Sequence, residues 1–115
     1  MTWDADLLEG YVSTEIALPD APRMPGEPDD VEVVATLVRR DEPRRSRRAV
    51  LYVHGWNDYF FQTHLADFWA DLGFDFYALD LRKYGRSLRR GHLHGFTPDL
   101  DAYDAELDAA ADLIA

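Results

Sequence analysis

The chain has 115 residues, a formal net charge of −10 and a 47% hydrophobic composition, so a packed core is expected rather than disorder. An excess of 22 acidic over 12 basic residues repels phosphate backbones and anionic membrane faces, which argues against nucleic acid as a partner. There is no cysteine, no basic-then-apolar leader and no apolar run near the ~20 residues of a membrane span; disulfides are excluded, and a cytoplasmic chain without a transmembrane segment is expected.

Residues 11–18 alternate, with Val12, Thr14, Ile16 and Leu18 on one face and Ser13 and Glu15 on the other, which predicts a half-buried strand. Residues 19–30 hold Pro19, Pro22, Pro25, Gly26 and Pro28 and read as a loop. The β-branched residues of 31–38 predict a second strand. Arginines from Arg39 to Arg48 follow, interrupted by Asp41, Glu42 and Pro43, and read as a solvated turn. Ala49-Val50-Leu51-Tyr52-Val53 is an unbroken apolar run, which suits a strand covered on both faces as in a parallel sheet.

Phe61, Leu65, Phe68, Trp69 and Leu72 recur at helical spacing, and Gly73 stands where a C-terminal cap belongs. Residues 74–81 return to strand character, and 83–95 form a polar loop containing Gly85, Gly91 and Gly95. Thr97-Pro98-Asp99 predicts a helix start: threonine as N-cap, proline at the first position, an acid in the first turn. The apolar stripe of that helix is Leu100, Tyr103, Leu107, Ala110, Ala111 and Ile114. Asp99, Asp101, Asp104, Glu106, Asp108 and Asp112 read as its solvated face.

This order predicts a single α/β domain over 1–115, with two leading strands as a hairpin and then strand-helix-strand-helix around a right-handed parallel unit. A last helix with no strand after it suggests an architecture cut partway, with the rest of the domain beyond Ala115.

The most informative junction is Val53-His54-Gly55-Trp56. A buried strand ending in His-Gly turns the backbone out of the sheet at its carboxyl end, where open α/β sheets bind ligands. Gly55 lets the chain approach a ligand closely, and the next amide can face a developing oxyanion as a fixed donor. After the helix, Asp80-Leu81-Arg82-Lys83-Tyr84-Gly85-Arg86-Ser87 places an acid, an arginine, a glycine and a serine just beyond a strand.

His54-Gly55-x, a helix, and then Asp80-x-Arg82-x-x-Gly85-x-Ser87 together resemble the first half of an α/β-hydrolase, in the branch of lysophospholipases, monoacylglycerol lipases and S33-type serine aminopeptidases. The likeness spans roughly residues 31–115. It implies an N-terminal portion of a serine hydrolase acting on carboxylic or lipid esters, without a cofactor. It also implies that the Trp56 backbone N–H is one of two oxyanion-hole donors and that His54 and Gly55 shape that loop. Asp80, Arg82, Gly85 and Ser87 would brace the neighbouring loop. Lys83 and Tyr84 depart from the commoner Asp-x-Arg-Gly-His-Gly-x-Ser form of the family, which weakens transfer of substrate preference.

A Gly-x-Ser-x-Gly nucleophile elbow is absent: none of Ser13, Ser46 and Ser87 lies between glycines. The 115-residue chain is therefore expected to be inactive alone. Its alternative role is a non-catalytic module that pairs through strand 49–53, which the family's sheet order would cover with a strand missing here and which would otherwise be a bare apolar edge. Trp56, Tyr59, Phe60 and Phe61 could line an acyl pocket or simply fill the core. His92 and His94 lack a third ligand at matching spacing, so no metal site is expected, and His64 reads as a surface or boundary residue. A flavodoxin-like binding domain is disfavoured by the two leading strands and by the lack of Gly-x-Gly-x-x-Gly or Gly-x-x-x-x-Gly-Lys.

Overall fold

A computed structural model describes residues 2–115. In chain order the elements are β1 (Asp4–Ala5), β2 (Tyr11–Ala17), β3 (Val34–Arg40), β4 (Ala49–Val53), α1 (Thr63–Asp71), β5 (Asp75–Asp80) and α2 (Asp104–Ile114). Short 3-10 turns occupy Gly85–Ser87 and Leu100–Tyr103.

The strands form one mixed sheet in the order β1-β2-β3-β5-β4. β2 and β3 are the expected antiparallel hairpin, paired from Tyr11↔Arg40 to Ala17↔Val34. β3 meets β5 antiparallel, and β5 pairs in parallel with β4 through the α1 crossover. The result is a mixed α/β domain of five strands and two helices.

Period-two alternation divides the side chains between two faces. Leu37, Tyr77 and Leu79 join Ile16 and Ala110 beneath α2, with Leu51, Tyr103, Leu107 and Ile114 packed against them. Val38, Phe76 and Ala78 join Tyr11, Phe60 and Ala66 beneath α1, with Val50, Tyr52, Leu65 and Trp69 alongside. β3 and β5, the central strands, are buried on both faces.

Several sequence expectations need correction. The second strand starts at Val34 rather than at 31, because its pairing follows the length of β2. It therefore takes in Arg39 and Arg40, which the sequence suggested were turn residues. Arg39 stacks on the Trp3 ring at 4.5 Å and Arg40 reaches Asp67 at 3.6 Å, so both guanidiniums stay solvated at the rim while their backbone pairs. β4 has its two faces partly covered but lies at the sheet edge, with Ala49 and Val53 exposed.

In α1, Leu65, Ala66 and Trp69 face inward. Phe68 points more than a quarter-turn off that stripe and is 57% exposed. Phe61 and Leu72 flank the helix and are also exposed. Gly73 does end the helix, at φ +89°, with Phe74 N–H donating to Trp69 C=O.

The last helix opens later than Thr97. Asp99 is the cap, its carboxylate accepting from Ala102 N–H at 2.9 Å, and regular α-helix starts at Asp104. Leu100 and Ala111 are exposed rather than part of the stripe. β1 was not foreseen, since two residues carry no readable alternation.

Candidate functional site

The carboxyl ends of β4 and β5 lie side by side, and the two sequence motifs meet there. His54 joins them. Its Nε2 accepts from Leu81 N–H at 3.0 Å and its Nδ1 lies 2.8 Å from Gly55 C=O. Leu81 can only donate, so Nε2 must be bare and Nδ1 must carry the proton. Both nitrogens are thus committed to holding the His-Gly loop against the end of β5. The ring is 5% exposed and has no spare nitrogen for proton transfer.

Beyond Gly55 the chain turns at Trp56-Asn57, with Asn57 in the left-handed region at φ 56°. Asparagine tolerates that conformation better than most residues. The Trp56 indole is 78% exposed and meets Tyr84 edge-on, with ring centroids 6.3 Å apart. Trp56 N–H finds no acceptor among the described residues, which leaves an unpaired donor just beyond the end of a parallel strand. Gly55 also has open space where a side chain would be.

The second motif braces this loop from below. Asp80 is fully buried and accepts from Phe60 N–H at 2.8 Å, Arg86 N–H at 3.0 Å and the Arg86 guanidinium at 3.0 Å. Gly85 must be glycine: at φ +45° a Cβ would overlap that of Tyr59 and sit 2.8 Å from Asp80 Oδ2. Ser87 Oγ donates to Asp80 C=O and accepts from Thr36 Oγ1, each at 2.9 Å. Fully buried and saturated, Ser87 has no freedom to act as a nucleophile.

The same loop ties down three distant segments by buried ion pairs. Arg82 holds Glu106 of α2 at 2.6 Å and donates to Ala102 C=O. Lys83, whose φ is 61°, reaches Glu27 at 2.7 Å and lies over the Phe96 ring. Arg86 clamps Asp6 with two contacts of 2.7 Å. Burial pushes the Asp6 and Glu27 carboxyls up, but the hydrogen bonds from Arg86 and Lys83, the backbone N–H groups of Leu8, Leu93 and Met24, and the nearby positive charges together outweigh it and hold both below their ordinary values. Burial, helped by Tyr84 and Glu106, pushes the Tyr103 hydroxyl up to about 12.

Glu106 corrects the reading of the acidic helix as uniformly solvated, because it is fully buried. A signal for it was present: position 106 lies one turn from both Tyr103 and Ala110, at the margin of the inward stripe. Asp6, Glu27, Lys83, Tyr84 and Arg86 had no such signal, since their partners lie far away in sequence. Among the other residues considered, His92 accepts from Arg89 N–H through Nδ1, and its Nε2 is buried with no partner among the described residues. Burial, with Lys83 nearby, lowers its pKa. His94 packs edge-on against Tyr84 at 5.1 Å. Phe60 is core, whereas Tyr59 and Phe61 are exposed beside the Trp56 loop.

The arrangement leaves the Trp56 N–H without an acceptor among the described residues, on a loop tied to the end of β5 by His54, and no serine–histidine pair lies beside it. Two cavities lie elsewhere. One of about 400 Å³ opens between Trp3, Arg39, Phe74 and Leu113, and the other, of about 990 Å³, lies beside Asp4, Asp6, Glu15 and Asp112. No helix among the described residues is long and apolar enough to cross a membrane. No protein-family model, curated protein or solved structure matches the chain.

Proposed function

We propose that this chain forms the oxyanion-binding side of a serine hydrolase of the α/β-hydrolase kind, acting on carboxylic or lipid esters. On this reading the nucleophile, acid and base come from sequence outside residues 1–115. The observation that carries the reading is the unpaired Trp56 N–H on a loop that His54 locks between Gly55 C=O and Leu81 N–H. A donor held in place before charge develops costs nothing to reorganise, which is how an oxyanion hole lowers a barrier. The fully satisfied Asp80–Gly85–Ser87 brace supports the reading, as does the edge position of β4, where the family's next strand would dock.

The roles follow from the contacts. Trp56 is the one catalytic group, through its backbone. His54, Asp80, Arg82, Gly85 and Ser87 are positioning residues, and Gly55 keeps the approach to the amide open. Exposed Trp56, Tyr59 and Phe61 offer an apolar surface next to the donor, which suits an ester with a hydrophobic acyl or alkyl group.

The test uses a catalytically competent protein containing this chain. Trp56→Pro, which deletes the N–H, is expected to lower kcat by about 10²–10³ with little change in KM, whereas Trp56→Ala, which keeps it, retains most of kcat. The 115-residue chain alone is expected to give no turnover of p-nitrophenyl esters. Robust turnover by that chain, or a reading frame past Ala115 with no Gly-x-Ser-x-Gly elbow, overturns the proposal.

A further inference from the structure

The loops 19–33 and 83–96 meet at Glu27. Its carboxylate accepts from Met24 N–H at 2.6 Å, Lys83 Nζ at 2.7 Å and Leu93 N–H at 2.7 Å. Arg23 closes the first loop by donating to Pro28 C=O at 2.9 Å and Val31 C=O at 2.6 Å. A turn at 89–92 closes the second: His92 N–H donates to Arg89 C=O and Arg89 N–H donates to His92 Nδ1, each at 3.1 Å. Beyond it His94 packs on Tyr84, whose ring also meets His54 and Trp56, and Gly95 N–H returns to Lys83 C=O at 2.9 Å. Residues 89–95 thus form a strap that runs from Glu27 to the Trp56 loop.

One atom of this junction is unsatisfied. Arg89 N–H can only donate, so His92 Nδ1 is bare and the proton of the neutral ring sits on Nε2. Nε2 is buried and has no partner among the described residues. The charged groups that face the ring are Lys83, Arg23, Arg89 and Glu27. Arg89 pairs with Glu15 of β2, and the Glu27 carboxylate is already held by three donors. A second proton would have to go on Nδ1, against the Arg89 N–H. The resulting imidazolium would have no acceptor for either N–H and three cations around it. The closed strap tolerates only the neutral ring.

We infer that residues 89–95 are a pH-released strap: neutral His92 latches it, and protonation of Nδ1 frees it from Glu27 and uncovers Tyr84 beside the Trp56 loop. Once the strap is open, both ring nitrogens reach water and the ring titrates at its ordinary 6.5, whereas burial and the Lys83 charge hold the closed ring lower. The advantage of the closed form is therefore complete above pH 6.5. It falls tenfold for each pH unit below that, down to the lowered value. Glu27 is held below its ordinary 4.5, so between pH 6.5 and 4.5 the latch answers to His92 and not to the carboxylate. Every group of the latch lies between residues 15 and 96, and the latch stands whether or not the chain belongs to a hydrolase.

Amide hydrogen exchange followed by NMR from pH 7.5 to 5.0 reads the closed-to-open ratio as a protection factor. In the 115-residue chain, Arg89, Leu93 and Gly95 are expected to lose protection below pH 6.5, approaching tenfold per unit. Their protection should lie well under that of Leu37 and Leu79 in the central strands and should not respond to low urea, as befits a local opening. His92→Asn keeps an acceptor for Arg89 N–H but cannot titrate, so its strap protection should stay flat across the range. His94→Gln should keep the parent's slope.

Gly91→Ala places a Cβ 2.7 Å from the Pro28 ring at φ +85°. It should lower strap protection about tenfold at every pH, the cost of one left-handed Cβ. Flat strap protection in the parent, a His92→Asn slope equal to the parent's, a Gly91→Ala strap as protected as the parent's, or strap amides that exchange only together with Leu37 and Leu79 overturns the inference.

Discussion

Replacing Gly85 with alanine is expected to destabilise the domain by about 2–4 kcal/mol. Two independent costs contribute. The φ of +45° lies in the left-handed region, where a Cβ costs about 1–2 kcal/mol. The added carbon would also overlap the Tyr59 Cβ, which is attached to backbone and has no rotamer to escape into, and crowd Asp80 Oδ2 at 2.8 Å. Overpacking of that kind costs about 1–3 kcal/mol. Relief by moving Asp80 would break its bonds to Phe60 and Arg86. Gly55→Ala is the matched control. Nothing lies within 4 Å of the position its Cβ would take, and its φ is not in the positive range, so its effect should stay within about 0.5 kcal/mol. Urea unfolding followed by tryptophan fluorescence measures both. A Gly85→Ala variant as stable as the parent, or a Gly55→Ala variant as damaged as Gly85→Ala, would refute the picture of a tight brace beneath an open loop.

Two further outcomes follow from the buried ion pairs. Glu106→Gln leaves the Arg82 guanidinium, 3% exposed, without its counter-charge, and should cost about 3–5 kcal/mol, whereas Arg82→Met with Glu106→Leu should recover most of that loss in the same unfolding assay. The pH profile of stability should fall on both sides. His92 is held below its ordinary 6.5, so the unfolded chain takes up its proton first and stability starts to decline below that pH. Asp6 and Glu27 are also lowered. The stability they contribute is present above their ordinary 3.8 and 4.5 and is lost as pH falls through the lowered values. Glu27→Gln should flatten this steeper acid limb. Tyr103 is raised, so its contribution is intact below 10.0 and lost as pH rises toward about 12. Tyr103→Phe should flatten the alkaline limb, and an unchanged profile in either variant would contradict the assignment.

Much of the backbone plan was legible from local pattern. Alternation of Val12, Thr14 and Ile16 marked β2, the apolar run at 49–53 marked β4, and Gly73 marked the end of α1. Each signal is local, because a strand alternates at period two and a helix end needs a residue that accepts positive φ. The bounds of β3 and the start of α2 were misplaced where a partner decides: β2 sets the length of β3 by register, and Asp99, rather than Thr97, captures the free amide of Ala102. The short motifs His54-Gly55 and Asp80-x-Arg82-x-x-Gly85-x-Ser87 were visible as strings, but the string does not say that His54 spends both nitrogens on backbone or that Ser87 is saturated.

The amino-acid order alone determined the number of major strands and helices, their sequence and the two loops that matter, because all of these depend on side-chain periodicity and on glycine within a few residues. Tertiary structure decided which charges are buried. Arg82 with Glu106, Lys83 with Glu27 and Arg86 with Asp6 are separated by long stretches of chain, and a charge tolerates burial only when folding brings its counter-charge within hydrogen-bonding reach. It also decided that β4 lies beside β5 at the end of the strand order among the described residues. Strand neighbours are set by how the crossover packs back onto the sheet, and no local pattern in a strand records who lies beside it.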